Sequence, residues 1–355
     1  MRFRYGTSGL LGLMWRTWEI APQIAALGRS AWSVASKGRP QEDVLTDVAV
    51  YSDFCSANFG SETAAECASL FLSLDSFSPL PAPNPFTGGS KIPRDGQACC
   101  GGPMDVVHVP DTNLLDISKW EAWLPKVIGA EKQQRAAAWV DQFRYHRMTQ
   151  LVSNHTYALQ SALQTKRVHD EASALAIGAP LAKIVVDSYT SMITFLLSCA
   201  STPGTLGMLA AHEGANWPSK FGSVIAGLGQ FLPNSTMQTL QPPHDYRGAA
   251  RLFPSHVRTV VAAAEPFEVE VTVLSATPPS SVVLTINDRV VPMQPVLDVR
   301  TGTRHSQVYA VSIPVPTTDY DELSYFVTAS IPSGPSAGSQ QLRFPLERNE
   351  TVVVV

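Results

Sequence analysis

The 355-residue chain carries a formal net charge of −4, and its isoelectric point lies near 6.1. Hydrophobic residues make up 45% of the sequence and charged residues 16%, which predicts two or three folded domains with ordinary cores. Because phosphate contacts require clustered lysines and arginines, this composition argues against nucleic acid as a partner.

The opening of the chain has the pattern of a barrel strand followed by a helix. Small and apolar residues lead into Trp15-Arg16-Thr17-Trp18-Glu19, and Pro22 suits the first turn of a helix. Strands of a (β/α) barrel end in this way at the mouth of the active site. Since nothing before this segment supplies the other strands, we expect residues 1–40 to be the last strand and helix of a barrel in a longer protein.

Residues 41–245 have the apolar period of a helical domain. One helix is predicted from about Glu42 to Asn58, and Ser61 is the predicted N-cap of a second. The predicted inward positions of the second helix are Ala64, Ala68, Phe71 and Leu74.

A long loop rich in proline and glycine interrupts the helices at residues 76–111. Within it, Gly101 and Gly102 would let the backbone approach a ligand closely, and such a loop could close over a sugar site. The alternative interpretation is an ordinary surface turn. The loop has neither the lysine nor the spacing of a phosphate-binding motif.

Helices are predicted again from Asp116 to about Leu232. The uncharged segment from Ser188 to His212 is interrupted by Pro203 and by glycines, so we expect no membrane span. The predicted inward positions are Trp120, Trp123, Trp139, Phe143, Leu151, Ala158 and Ala162, then Leu181, Ile184, Val185, Met192, Phe195, Leu196 and Cys199.

After Pro242 the apolar period changes to the alternation that is typical of strands. Turn residues such as Asn287-Asp288 separate short runs, which predicts an antiparallel β-sandwich of immunoglobulin or fibronectin type III shape over residues 246–355. The predicted fold class is thus a multidomain α + β protein, mainly helical and then a sandwich. The predicted strands are Val257–Ala262, Phe267–Val273, Ser281–Ile286, Val290–Pro295, Gln307–Ile313, Leu323–Ile331, Gln341–Phe344 and Thr351–Val355.

The candidate substrate-binding residues are Trp15, Arg16, Trp18 and Glu19, together with the Gly101-Gly102 turn. Sugar rings pack on indole faces, and their hydroxyl groups suit arginine and carboxylate partners. The alternative is that both tryptophans are core residues and that Arg16 and Glu19 form a local ion pair. A catalytic role for Glu19 would require a second carboxylate roughly 5 to 10 Å away, for which Asp105, Asp111 and Glu213 are merely available.

Other chemical motifs are incomplete. The segment from His212 to Trp217 resembles a fragment of a site but lacks the second histidine of a zinc helix. His146 is expected to be a surface or interface residue, and no G-x-S-x-G nucleophile motif is present. We therefore predict no metal, nucleotide or flavin cofactor, and we name no catalytic residue.

Cysteines and glycosylation motifs bear on the cellular compartment. Cys55 and Cys67 lie on successive predicted helices, which allows a disulfide between them, and the five cysteines have no metal-ligand spacing. Three N-x-[ST] motifs begin at Asn154, Asn234 and Asn349. The three motifs favour the secretory pathway or the extracellular space for the parent protein.

Several stretches together resemble the C-terminal part of (β/α)8-barrel glycoside hydrolases that carry a helical domain and a terminal β-sandwich. The resembling stretches are 9–17 through 31–32, 53–60, 74–75 before the proline-rich loop, 246–252, and 323–326 with 351–355. The resemblance implies that the Trp15-Arg16 strand is the final barrel strand, with Trp15 at the sugar site. It also implies that the catalytic carboxylates lie on earlier strands.

The resemblance predicts a protein that acts on a polysaccharide or oligosaccharide, with carbohydrate as its partner. We expect this chain alone to bind sugar or to be inactive as a hydrolase. A non-catalytic carbohydrate-binding protein and a helical protein-interaction scaffold with a sandwich module are the alternatives. The sequence does not predict an oligomeric state.

Overall fold

The computed structural model shows a helical region followed by two β-sheets. Its described residues form two compact units, of which the first holds those in 47–76 and 109–147 and the second holds 106, 108 and those from 148 onward. The predicted barrel strand and helix of residues 1–40 lie outside the described residues. The described residues are 47–76, 106, 108–111, 114–199, 209, 212–242, 250–254, 260–262, 265–296, 306–314, 322–332, 339–344 and 350–354.

Two helices, α1 (Asp47–Phe59) and α2 (Ala64–Ser76), form a hairpin closed by a disulfide between Cys55 and Cys67. Gly60 ends α1 with a φ of +106°, a conformation that favours glycine. The predicted N-cap Ser61 is wrong, because residues 61–63 form a turn first and the Ser61 hydroxyl contacts the Glu62 carboxylate. The predicted inward face of α2 is confirmed, since all four of its positions are buried.

The short helix α3 (Ser118–Trp123) ends in a 3₁₀ turn and precedes α4 (Ala130–Gln164), which is 35 residues long. Within the first unit, Phe71 of α2 lies among aromatic rings of α1, α3 and α4, with ring centroids 5.0 to 6.4 Å away. The predicted burial of the aromatic residues in α3 and α4 is confirmed. These rings are Tyr51, Phe54, Trp120, Trp139 and Phe143.

The inward positions predicted for the second half of α4 are confirmed only in part. Ala162 is buried as predicted and Leu151 is half-buried, but Ala158 is exposed. Val152, Thr156 and Leu159 are buried there as well. Thr156 can lie inside because its hydroxyl donates to the backbone oxygen of Val152 at 2.7 Å. A buried polar residue is therefore satisfied within its own helix.

The helix α5 (Glu171–Ser198) contains a π-turn over Ala174–Gly178. The predicted inward position of Ile184 is wrong, since 44% of that residue is exposed, whereas Val185, Met192 and Leu196 are buried as predicted. Apolar residues lie on most faces of this helix, so their spacing along the sequence does not predict which face is buried. Among the described helices only α5 is long and apolar enough to cross a membrane, but 44% of its most apolar window is buried, and a buried core helix meets the same criteria.

A π-helix (His212–Phe221) continues as α6 (Gly222–Ala226) and a 3₁₀ turn (Gly227–Gln230), and α7 (Asn234–Thr239) follows.

The two sheets are formed by ten described strands, which are β1 (Arg251–Pro254), β2 (Val260–Val261), β3 (Pro266–Leu274), β4 (Ser281–Ile286), β5 (Arg289–Pro292), β6 (Gln294–Val296), β7 (Ser306–Pro314), β8 (Glu322–Pro332), β9 (Ser339–Phe344) and β10 (Glu350–Val354). The first sheet has the strand order β1-β3-β7-β6, and the second has β2-β10-β8-β4-β5 with β9 also paired to β8. Between these strands all pairings are antiparallel except that of β2 with β10.

Alternating side chains of the two sheets share one aliphatic core. Burial alternates along β4 and β8, so that Leu284 and Val327 lie inside, and Phe267 of β3 meets Tyr325 of β8 at 5.4 Å. Six of the predicted strands lie within two residues of the observed ones. A single strand was predicted where β5 and β6 are observed, and residues 257–259 of the strand predicted at β2 lie outside the described residues. The strand β1 was not predicted.

The connection between β4 and β5 is a tight hairpin. Asn287 and Asp288 have φ values of 44° and 64°, as a type I′ turn requires, which confirms the predicted turn. The Asn287 side-chain oxygen accepts from the Ser324 backbone nitrogen at 2.9 Å. Beyond the hairpin, the chain passes from the second sheet to the first at the buried residue Met293, which is why one predicted strand is observed as two.

Candidate functional site

The substrate-binding residues that the sequence predicts lie outside the described residues. This holds for Trp15, Arg16, Trp18 and Glu19 and for the Gly101-Gly102 turn. Of the available carboxylates, Asp105 lies outside as well, and Asp111 and Glu213 are exposed. The assignment of these residues to a sugar site therefore stays a prediction.

The described part of the helical region places polar and aromatic side chains together around the π-helix. The segment His212–Phe221 adopts this wide helix around Pro218, which has no backbone N–H to donate. Wide turns of this kind are frequent at functional sites. We refer to Tyr189, His212, Asn216, Trp217 and Phe221 as the Trp217 cluster.

Trp217 is the half-buried aromatic residue of the cluster. Its indole ring lies against the ring of Tyr189 with centroids 4.6 Å apart, and Tyr189 also meets Phe221 at 5.9 Å. Gly222 makes room for this arrangement, since a Cβ there would lie 2.9 Å from the Trp217 backbone oxygen and 3.1 Å from Nε1. Of the four described tryptophans, Trp217 is the one that is not fully buried.

His212 is a buried, neutral histidine. Asn216, one helical turn later, donates from its side-chain nitrogen to Nδ1 of His212 at 3.1 Å, so the ring carries its proton on Nε2. Burial lowers the pKa of His212 to about 4, although the negative charge of Glu213 acts in the opposite direction. At neutral pH this ring can orient groups around it but has no extra proton to give.

Tyr189 supplies a buried hydroxyl. Only 3% of the residue is exposed, and within the described part of the chain its phenol oxygen has no hydrogen-bond partner. Burial raises the pKa of Tyr189, and Glu213 raises it further, so the phenol stays protonated. The Trp217 cluster thus combines a protonated phenol, a neutral imidazole and a half-buried indole, and none of these groups changes its protonation near neutral pH.

Two further histidines have structural surroundings. Nδ1 of His155 on α4 lies 2.8 Å from the hydroxyl oxygen of Ser188 on α5, and burial lowers the His155 pKa. Ser188 is itself buried, so this pair links two helices and does not present a nucleophile. His146 was expected at a surface or interface, but it is buried with its Nε2 3.1 Å from the Gln142 amide nitrogen.

Sequence reasoning singled out the segment from His212 to Trp217 but missed Tyr189. A proline within a helical apolar period was the available signal for irregular geometry at this segment. Nothing in the sequence pairs Tyr189 with it, because they lie on different helices.

Among the described residues, no group of three or more His, Cys, Asp or Glu side chains is arranged to hold a metal ion. No protein-family model matches this chain, and no curated protein is similar to it at a level that establishes a relationship.

Proposed function

We propose that this chain is part of a glycoside-hydrolase-like protein that acts on a polysaccharide or oligosaccharide. The observation that carries the proposal is the segment Trp15-Arg16-Thr17-Trp18-Glu19, placed after an apolar run and before a predicted helix. Two indoles, a guanidinium and a carboxylate within five residues match the faces and hydroxyl groups of sugars.

In this proposal Trp15 and Trp18 bind the faces of sugar rings, and Arg16 and Glu19 bind hydroxyl groups. The Gly101-Gly102 turn closes over the bound sugar. The catalytic carboxylates lie on earlier barrel strands, as the resemblance to barrel hydrolases implies, and none of the residues named here supplies the general acid.

We also propose that the β-sheet region is a sandwich of the immunoglobulin type. The strand order supports this, because β1-β3-β7-β6 corresponds to strands A, B, E and D of such domains. The order β10-β8-β4-β5 corresponds to G, F, C and C′. In place of the disulfide between B and F, the matching strands here contribute apolar residues such as Val271 and Val327.

The direct test is a titration of the chain's tryptophan fluorescence with oligosaccharides of differing linkage. We expect quenching or a spectral shift that saturates, and we expect Trp15→Ala and Trp18→Ala to abolish it. Trp217→Phe is the matched control, since it removes an indole of the Trp217 cluster and leaves the proposed subsite intact.

The outcomes separate the proposal from its alternatives. Loss of the response in Trp217→Phe alone would transfer sugar binding to the Trp217 cluster. No response to any oligosaccharide, together with co-purification of a protein partner, would favour an interaction scaffold. Hydrolysis products in the assay would contradict the proposed position of the catalytic carboxylates.

A further inference from the structure

One of the glycosylation motifs lies in a setting that can accommodate a large modification. Asn234 is the exposed first residue of α7, which is only six residues long. The residue before it, Pro233, is extended with a ψ of 153° and is exposed. Ser235 is exposed and Thr236 is half-buried, so the side-chain amide of Asn234 projects from a short surface helix.

The motif at Asn154 also matches the N-x-[ST] pattern, but its structural surroundings are the opposite of those at Asn234. It lies inside the 35-residue helix α4, and Asn154 is half-buried. Thr156 is fully buried, and its hydroxyl donates to the Val152 backbone oxygen at 2.7 Å. A glycan on this turn would compete with the packing of α4, whereas one on Asn234 would extend into solvent.

The disulfide supplies an independent argument about the compartment. Cys55 and Cys67 form a bond in the core of the first unit, and both residues are completely buried. Disulfides of this structural kind form and persist in the secretory pathway and outside the cell. The same compartment contains the enzymes and the lipid-linked oligosaccharides of N-glycosylation.

We propose that Asn234 is an N-glycosylation site of this protein and that Asn154 is not. In the reaction, Nδ2 of Asn234 attacks the anomeric carbon of an oligosaccharide that is linked to a lipid through pyrophosphate. A carbon–nitrogen bond forms, the carbon–oxygen bond to the pyrophosphate breaks, the amide loses a proton, and the lipid pyrophosphate leaves. The proposal does not depend on sugar binding by Trp15 and Trp18.

Digestion with trypsin places each of the three glycosylation motifs in a peptide of its own. The cleavage products are Phe221–Arg247 around Asn234, Met148–Lys166 around Asn154 and the C-terminal peptide from Asn349, and each contains one asparagine. The full chain is secreted from eukaryotic cells, treated with peptide-N-glycosidase in heavy-oxygen water and digested. We expect conversion of Asn234 to a labelled aspartate and unmodified Asn154.

Variants of the intact protein give a second readout. Asn234→Gln and Thr236→Val are expected to abolish the glycosidase-sensitive mobility shift assigned to this site, and Thr236→Ser is expected to retain it. Asn154→Gln is the matched control and leaves the shift unchanged. An unmodified Phe221–Arg247 peptide in the secreted protein, or a labelled aspartate at position 154, would overturn the proposal.

Discussion

The helical core of the first unit consists largely of aromatic side chains, whereas the core of the two β-sheets consists largely of aliphatic ones. In the helices, Phe71 is surrounded by aromatic rings, and the disulfide between Cys55 and Cys67 links α1 to α2. In the sheets, the described interior consists mainly of valine, leucine and isoleucine on alternating positions, and the rings of Phe267 and Tyr325 meet within it.

This difference predicts how each core responds to change. Aromatic rings that meet edge to face fix one another's orientation, so the loss of one ring leaves a cavity that its neighbours cannot easily fill. Aliphatic side chains on paired strands are held by the ladder of backbone hydrogen bonds, and each contributes a smaller part of the packing. The helical core therefore depends on few residues, and the sheet core depends on many.

The largest effect is expected for Phe71→Ala. Truncation of a buried phenylalanine costs about 3–5 kcal/mol, and the lost ring contacts place Phe71 at the upper end of that range. Unfolding in denaturant should report it through tryptophan fluorescence, because Trp120 and Trp139 contact Phe71 and no tryptophan lies in residues 246–355.

The matched variant in the sheets is Leu284→Ala, at a fully buried position of β4. We expect about 2–5 kcal/mol of destabilisation, detected by circular dichroism of the β-region and not by tryptophan emission. If Leu284→Ala changed the unfolding transition seen by tryptophan fluorescence as much as Phe71→Ala does, the two cores would not respond independently.

The disulfide is the next largest contribution. Its cysteines are 12 residues apart, and closing a loop of that length stabilises a fold by about 2–4 kcal/mol. Replacing both Cys55 and Cys67 by alanine should lower the free energy of unfolding of the helical core by this amount. The midpoint of the β-region transition, followed by circular dichroism, should stay unchanged.

A smaller effect is expected at Gly222, where the π-helix ends. A Cβ at this position would lie 2.9 Å from the Trp217 backbone oxygen, so Gly222→Ala should cost about 1–3 kcal/mol through overpacking and shift the Trp217 emission. Gly214→Ala in the same π-helix is the matched control, because a Cβ there meets nothing within 4 Å. Similar stability of the two variants would show that the close approach at Gly222 is relieved without cost.

Much of the fold was predictable because local patterns determine it. The alternation of β3, β4 and β8 is produced by burial on one face, and the Asn287-Asp288 turn requires residues that tolerate positive φ. The inward positions of α2, which are spaced by three or four residues, were predictable for the same reason. In α5 the prediction failed at Ile184, because apolar residues surround that helix and tertiary packing selects the face.

The candidate site was less predictable. The His212–Trp217 segment could be singled out from its residue types, but Tyr189 comes from another helix and depends on how α5 packs against the π-helix. The passage of the chain from one sheet to the other at Met293 likewise follows from the closure of the sandwich and not from the local alternation.

The smallest effect on stability is expected at the end of a helix, where backbone N–H groups have no partner within the helix and are capped by side chains. Asp170 caps α5. Its carboxylate accepts hydrogen bonds from the Ser173 hydroxyl and, at 2.8 Å, from the Ser173 backbone nitrogen. These two bonds lower the pKa of Asp170 below the ordinary value of 3.8. Because the folded pKa is depressed, the contribution is present above the unfolded pKa and is lost as the pH falls through the folded value. We expect the melting temperature of the chain to exceed that of Asp170→Ala at pH 7 and the difference to shrink at pH values below about 4. A difference that persists unchanged in acid would show that the charge of Asp170 does not contribute to the cap.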